Sequence, residues 1–139
     1  MSLDHAFQRL RRLNESVPRP ARLPTKEEVE VLEASVGATF HPDFKRYLLE
    51  ASDVVVGRKE PVTALPESDY RYLPSVVEHA RALEVPGVPR ELMPLCEDNS
   101  DFFLMNDAGE VIFWSHDGAT DERWPDLATW IDEVWIGEG

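Results

Sequence analysis

A chain of 139 residues, 42% hydrophobic and 29% charged, has the balance of a globular protein and the length of one domain, burying roughly two-thirds of the surface its unfolded chain exposes. A net charge of −13 argues against nucleic acid as a partner, because neutralising phosphates requires a basic stripe. The single cysteine, Cys96, allows no internal disulfide, and no apolar run has the length of a secretory signal or a membrane span, so a cytoplasmic protein without membrane contact is expected.

Phe7, Leu10 and Leu13 recur every three residues among Arg9, Arg11 and Arg12, which predicts a short amphipathic helix. Its basic face reads either as a solvated surface or as a landing site for an acidic lipid or partner. Pro18, Pro20 and Pro24 predict an extended connector. Thr25 and Glu28 have capping-box spacing, Val29, Leu32 and Val36 supply an apolar face, and Gly37 a left-handed exit. Pro42 opens the next helix, with Phe44, Tyr47, Leu48 and Ala51 on its inner side. Val54 to Val56 predicts a short buried strand ended by Gly57, and Pro61 to Leu65 a second, at a sheet edge because of its proline. Ser75 and Glu78 repeat the capping-box spacing ahead of Val76, Val77, Ala80 and Leu83, a helix that Pro86, Gly87 and Pro89 would stop.

Asp101 to Met105 and Glu110 to Ser115 are rich in β-favouring residues and flank Asn106-Asp-Ala-Gly109, a hairpin signal. Leu92 to Cys96 is expected to pair beside them. A closing helix from about Pro125 presents Leu127, Trp130, Ile131 and Val134 inward. The order of elements predicts an α+β fold, an antiparallel or mixed sheet of about four to six strands with helices packed against it. One domain is expected over residues 1–139, with 1–22 as N-terminal helix and proline-rich connector and 23–135 as its core.

Charge is distributed unevenly along the chain. Residues 97–139 hold twelve carboxylates against one base, Arg123, a balance of −11, together with all four tryptophans. A folded, aromatic-rich, negative surface predicts a binding face for a positive partner; the blander alternative is a surface that maintains solubility. The candidate partner-binding residues are Asp98 and Asp101 in an acidic turn, Asp117, Asp121 and Glu122 in the loop after the hairpin, and Trp124 as an aromatic anchor. Trp130 is expected in the core, Trp124 and Trp135 partly exposed, and Trp114 and Phe113 on opposite sides of the sheet.

Candidate chemistry is sparse. His116-Asp117 resembles a pair used by metal phosphohydrolases, but His5, His41 and His79 fall on separate helices or caps. Asp98-Asn-Ser-Asp101 resembles a cation loop without the glycine and distal glutamate of an EF-hand. Cys96 lies in an apolar strand, where thiols are inert. No catalytic residue, metal or cofactor is expected.

Three stretches together resemble the SUKH superfamily, which includes the Smi/Knr fungal cell-wall regulators and bacterial immunity proteins. Leu23-Pro-Thr-Lys-Glu-Glu-Val through Gly37 and Pro42-Asp-Phe-Lys-Arg-Tyr-Leu-Leu49 are similar to the family's opening helix pair. Met93-Pro-Leu-Cys-Glu-Asp98, Asp101-Phe-Phe-Leu-Met105 and Gly109-Glu-Val-Ile-Phe-Trp-Ser-His-Asp117 are similar to its strand triplet, and Trp124 with Ala128-Thr-Trp-Ile131 to its terminal helix. The chain departs from the pattern at Ser52-Asp53-Val54, where relatives have an Asn-Gly-Gly-type turn, and at Asn99-Ser100, where a glycine is common. The resemblance implies a non-catalytic binding domain, of the kind that in many bacteria protects its owner from a secreted toxin. A cationic nuclease would suit the acidic third. The rival reading is an intracellular scaffold or regulator like the fungal relatives, and a remote third is a small hydrolase using His116.

Overall fold

The computed structural model describes residues 2–14, 22–65, 67–82 and 91–137. Pro18 and Pro20 of the expected connector, and Leu83, Pro86, Gly87 and Pro89 of the expected helix end, lie outside them.

The first half is helical. Helix α1 (Leu3–Leu13) starts where the Ser2 hydroxyl accepts from the His5 amide, and it buries Ala6, Phe7 and Leu10. Helix α2 (Lys26–Val36) carries its capping box in both directions: the Glu28 amide donates to Thr25 Oγ1 at 3.2 Å and the Thr25 amide to Glu28 Oε1 at 2.9 Å. It ends on Gly37 at φ 69°. Helix α3 (Pro42–Glu50) has Pro42 in its first turn and the His41 ring accepting from the Asp43 amide. Helix α4 (Leu73–Arg81) follows an irregular segment.

The second half is a meander. Strands β1 (Met93–Asp98), β2 (Asp101–Met105), β3 (Val111–Ser115) and β4 (Gly118–Trp124) pair antiparallel in sequence order. Helix α5 (Leu127–Trp130), capped by Asp126, continues as a π-helical segment over Ile131–Ile136. Phe102 meets His79 of α4, whereas its neighbour Phe103 meets Trp130 of α5. Successive strand side chains point to opposite faces, so α4 and α5 cover opposite sides of β2, and Phe102 to Met105 are all buried. Tyr47 ties α3 into this core: its ring packs on Trp135 and its hydroxyl donates to the Val62 carbonyl at 2.6 Å.

The architecture is the expected α+β one, with four strands. Several local expectations need correction. Val54 to Val56 is not a strand: the Val55 amide donates to Asn14 Oδ1 and the Val56 carbonyl accepts from the Trp135 indole at 2.9 Å, so partners outside any ladder use its backbone. Pro61 to Leu65 makes only isolated bridges, Pro61 to Cys96 and Thr63 to Tyr72. The Val62 amide reaches Leu95 on the free side of β1, but Pro61 has no amide to extend the ladder. Helix α4 begins at Leu73 after Tyr72, without a side-chain cap, so Ser75 lies inside it rather than at its start. Trp135, expected to be partly exposed, is fully buried like Trp130. Strand β4 replaces an expected loop.

The basic face of α1 is also resolved. Arg11 forks onto Asp53 with bonds of 2.6 and 2.7 Å, and Arg9 pairs with Asp132. Asp53 is buried, so α1 supplies the counter-charge that its loop needs.

Candidate protein-binding site

A meander returns alternate turns to the same end of the sheet, which brings two acidic turns together. Asp98 and Asp101 are cross-strand partners closing the two-residue turn Asn99-Ser100, whose φ values of 53° and 72° are those of a primed hairpin turn. Asparagine tolerates that conformation; serine there is uncommon. The second turn, His116-Asp117, joins β3 to β4. Asp101 locks the two turns to each other, its Oδ1 lying 2.8 Å from the His116 amide and 2.9 Å from His116 Nδ1. Asp117 stands 3.6 Å from the other ring nitrogen. The His116 pKa is raised, first by the hydrogen bond to Asp101 and then by the charges of Asp117 and Asp101. The cluster therefore contains its own titratable counter-charge.

Asp98 is partly balanced as well. Lys59, its side chain largely buried and its ammonium over the Phe103 ring, brings Nζ to 3.3 Å from the Asp98 carboxylate. On the opposite face of the sheet, His79 Nδ1 lies 3.0 Å from Glu97. The sequence offered no sign of either contact, because both join segments far apart in the chain.

Asp121 and Glu122 are exposed, but on the edge strand β4 and not in a loop. The pairing steps from Trp114–Ala119 to Ile112–Arg123, leaving Thr120, Asp121 and Glu122 opposite Phe113. This is a bulge, pinned by the Thr120 hydroxyl, which donates to the Phe113 carbonyl at 2.7 Å and accepts from the Glu122 amide at 3.2 Å. Arg123, the one base in this acidic third, points to Glu110 at 3.7 Å.

Trp124 ends β4 opposite Val111 and is half-buried, its ring 5.7 Å from Phe103. At about 3.3 Å per residue it stands roughly 20 Å along the edge from the acidic turns. The candidate residues thus fall into three stations: Asp98, Asp101 and Asp117 at the sheet end, Asp121 and Glu122 midway along β4, and Trp124 at the far end. The sequence placed the tryptophan beside the acidic turns; the extended strand between them separates the two.

Cys96 is buried, and burial pushes its thiol up to about 12, which keeps it protonated at neutral pH. Among the described residues, no three His, Cys, Asp or Glu side chains converge in a group able to hold a metal. No described helix is long and apolar enough to cross a membrane.

Comparison with known proteins supports one assignment. No curated protein matches the sequence significantly. A crystal structure of a protein from Pseudomonas syringae pv. tomato is 36% identical, with a TM-score of 0.88 over 96% of this chain and 98% of the other. The family model described as SUKH_5, SMI1-KNR4 cell-wall, matches residues 3–136, from the start of α1 to the end of the π-helical segment. Such membership goes with a general protein-binding or regulatory role. The chain belongs to the SUKH_5 family.

Proposed function

We propose that this protein is an immunity-type binding protein that neutralises a toxin domain with a basic surface, and that the six candidate residues lie within one interface along the sheet end and the β4 edge. The observation that carries the reading is the pairing of two acidic turns, locked through Asp101 and His116 and continued by the carboxylates of the β4 bulge. A standard interface covers about 800 Å² per partner, wide enough to include all three stations. The carboxylates attract a cationic cleft from a distance, and half-buried Trp124 supplies a flat apolar contact at the far end.

The test is co-expression with the toxin-like domain encoded nearest to this chain's gene, followed by association kinetics on the purified pair. Wild-type protein is expected to protect the cell and to bind with a rate that falls steeply with salt. Neutralising Asp98, Asp101, Asp117, Asp121 and Glu122 to Asn or Gln should remove most of that salt dependence, while Trp124→Ala should mainly hasten dissociation. Binding by both variants at the wild-type rate and salt slope would sink the interface assignment. The family description favours a second reading, a regulatory scaffold related to the cell-wall proteins, in which the same surface holds a partner without inactivating it. Binding without protection from the toxin is the outcome that selects it.

A further inference from the structure

Away from the sheet end, the outer face of α2 holds a feature that the proposed interface does not use. Val31 is 67% exposed, unusual for a branched apolar side chain in the middle of a helix that already buries Val29, Leu32 and Val36. It forms one wall of an open groove of about 290 Å³, with Leu32 beneath it and Leu65 and Tyr72 opposite. The far wall is held in place: the Thr63 amide donates to the Arg71 carbonyl at 2.8 Å and the Leu73 amide to the Thr63 carbonyl at 2.9 Å, while Asp69 braces the Arg71 guanidinium at 2.8 Å. The groove is therefore a built surface with an apolar interior.

The rim is acidic. Glu27 and Glu67 stand on opposite sides, and neither pairs with a described base. Glu28 is already engaged by Arg22 and by the Thr25 amide. Among the described residues, no lysine or arginine lines the groove. An apolar trough between carboxylates fits one kind of occupant, apolar side chains flanked by cationic ones whose methylene stems also cover apolar surface. A second copy of this chain does not fit, because facing grooves would bring Glu27 and Glu67 against their own equivalents.

We propose that this groove is a second docking surface, which takes a basic amphipathic helix of a protein partner. Leucine-sized side chains pack on Val31, Leu65 and Tyr72, and lysine or arginine lies over Glu27 and Glu67. The proposal does not depend on the sheet-end interface, which lies on other elements.

The probe is a synthetic helical peptide of about four turns, with leucine at i, i+3, i+4 and i+7 and lysine elsewhere, together with an isomer carrying glutamate for lysine. Each is titrated into the ¹⁵N-labelled full chain. The lysine peptide should give saturable shifts centred on Val31, Leu65 and Tyr72, and the glutamate peptide none. Val31→Lys should weaken binding by at least about tenfold, and the Glu27→Gln, Glu67→Gln double variant should weaken it and flatten its salt dependence. Because these positions are on the surface, unshifted resonances elsewhere confirm the fold of each variant. Absence of saturable shifts, shifts centred instead on Asp98, Asp101 and Asp117, an unaffected Val31→Lys variant, or peptide-free self-association through this face would each overturn the assignment.

Discussion

Gly37 and Gly109 both sit at positive φ, 69° and 87°, yet their surroundings differ. A Cβ on Gly37 would have no atom within 4 Å, whereas one on Gly109 would lie 2.7 Å from Nε2 of His41. Gly37→Ala is therefore expected to cost only the left-handed backbone penalty, about 1–2 kcal/mol. Gly109→Ala adds displacement of the His41 ring, whose other nitrogen caps α3, and should cost more, about 2–4 kcal/mol by urea unfolding. Equal losses would mean that His41 moves aside freely. At His116 the expectation concerns pH. A histidine whose folded-state pKa is raised contributes stability that is fully present below its unfolded value near 6.5 and is lost as pH rises through the higher folded value. NMR titration should find the His116 imidazole above that reference, and Asp101→Asn should return it towards 6.5. An unshifted wild-type His116 would show that the two turns are not coupled through this ring.

Two matching capping-box spacings in one chain show what an element's sequence can and cannot announce. Thr25 and Ser75 have the same spacing to a glutamate three residues on. Only Thr25 caps a helix, because Pro74 suits a first turn and draws the start of α4 back to Leu73. Thr25→Ala should cost about 1 kcal/mol, and Ser75→Ala, inside the helix, should stay within about 0.5 kcal/mol of wild type in thermal unfolding. A larger loss at Ser75 would place the cap where the sequence pattern put it. The same distinction runs through the fold. Helices α2 and α3 and the β2–β3 hairpin were legible because their signals are local: caps, prolines, a glycine at a turn and an unbroken β-favouring run. Strand β4 was not, since Gly-Ala-Thr-Asp-Glu-Arg-Trp lacks β propensity, and it forms because the two-residue turn at His116-Asp117 folds it back onto β3. Val54 to Val56 failed in the opposite direction, a strand-like triplet whose backbone is used by Asn14 and Trp135. Of the site, the residue types and their sign were legible, but the arrangement was not: the lock between Asp101 and His116, Lys59 beside Asp98, and the distance to Trp124 all depend on pairings that only the folded sheet creates.

For the molecule as a whole, the question is whether the charge serves stability or opposes it. The helical half balances its acids with internal partners, as Arg11 does for buried Asp53 and Arg46 for Asp4 and Glu50, but exposed pairs such as those of Arg46 contribute only about 0–1 kcal/mol each. The sheet end and β4 have few such partners, and a net charge of −13 repels itself in the compact state. Salt should therefore stabilise the protein. Raising ionic strength from about 0.01 to 0.15 M shortens the screening length from about 30 to 8 Å, which weakens long-range repulsion more than contacts between paired groups. At pH 7 in sodium chloride, the melting temperature is expected to rise by about 2–4 °C over this range. The variant neutralised at Asp98, Asp101, Asp117, Asp121 and Glu122 should melt higher than wild type at low salt, and the gap should close as salt is added. That result would mark the carboxylates as a stability cost retained for binding. A wild type that loses stability with salt would show instead that the ion pairs outweigh the repulsion, and that the acidic surface supports the fold.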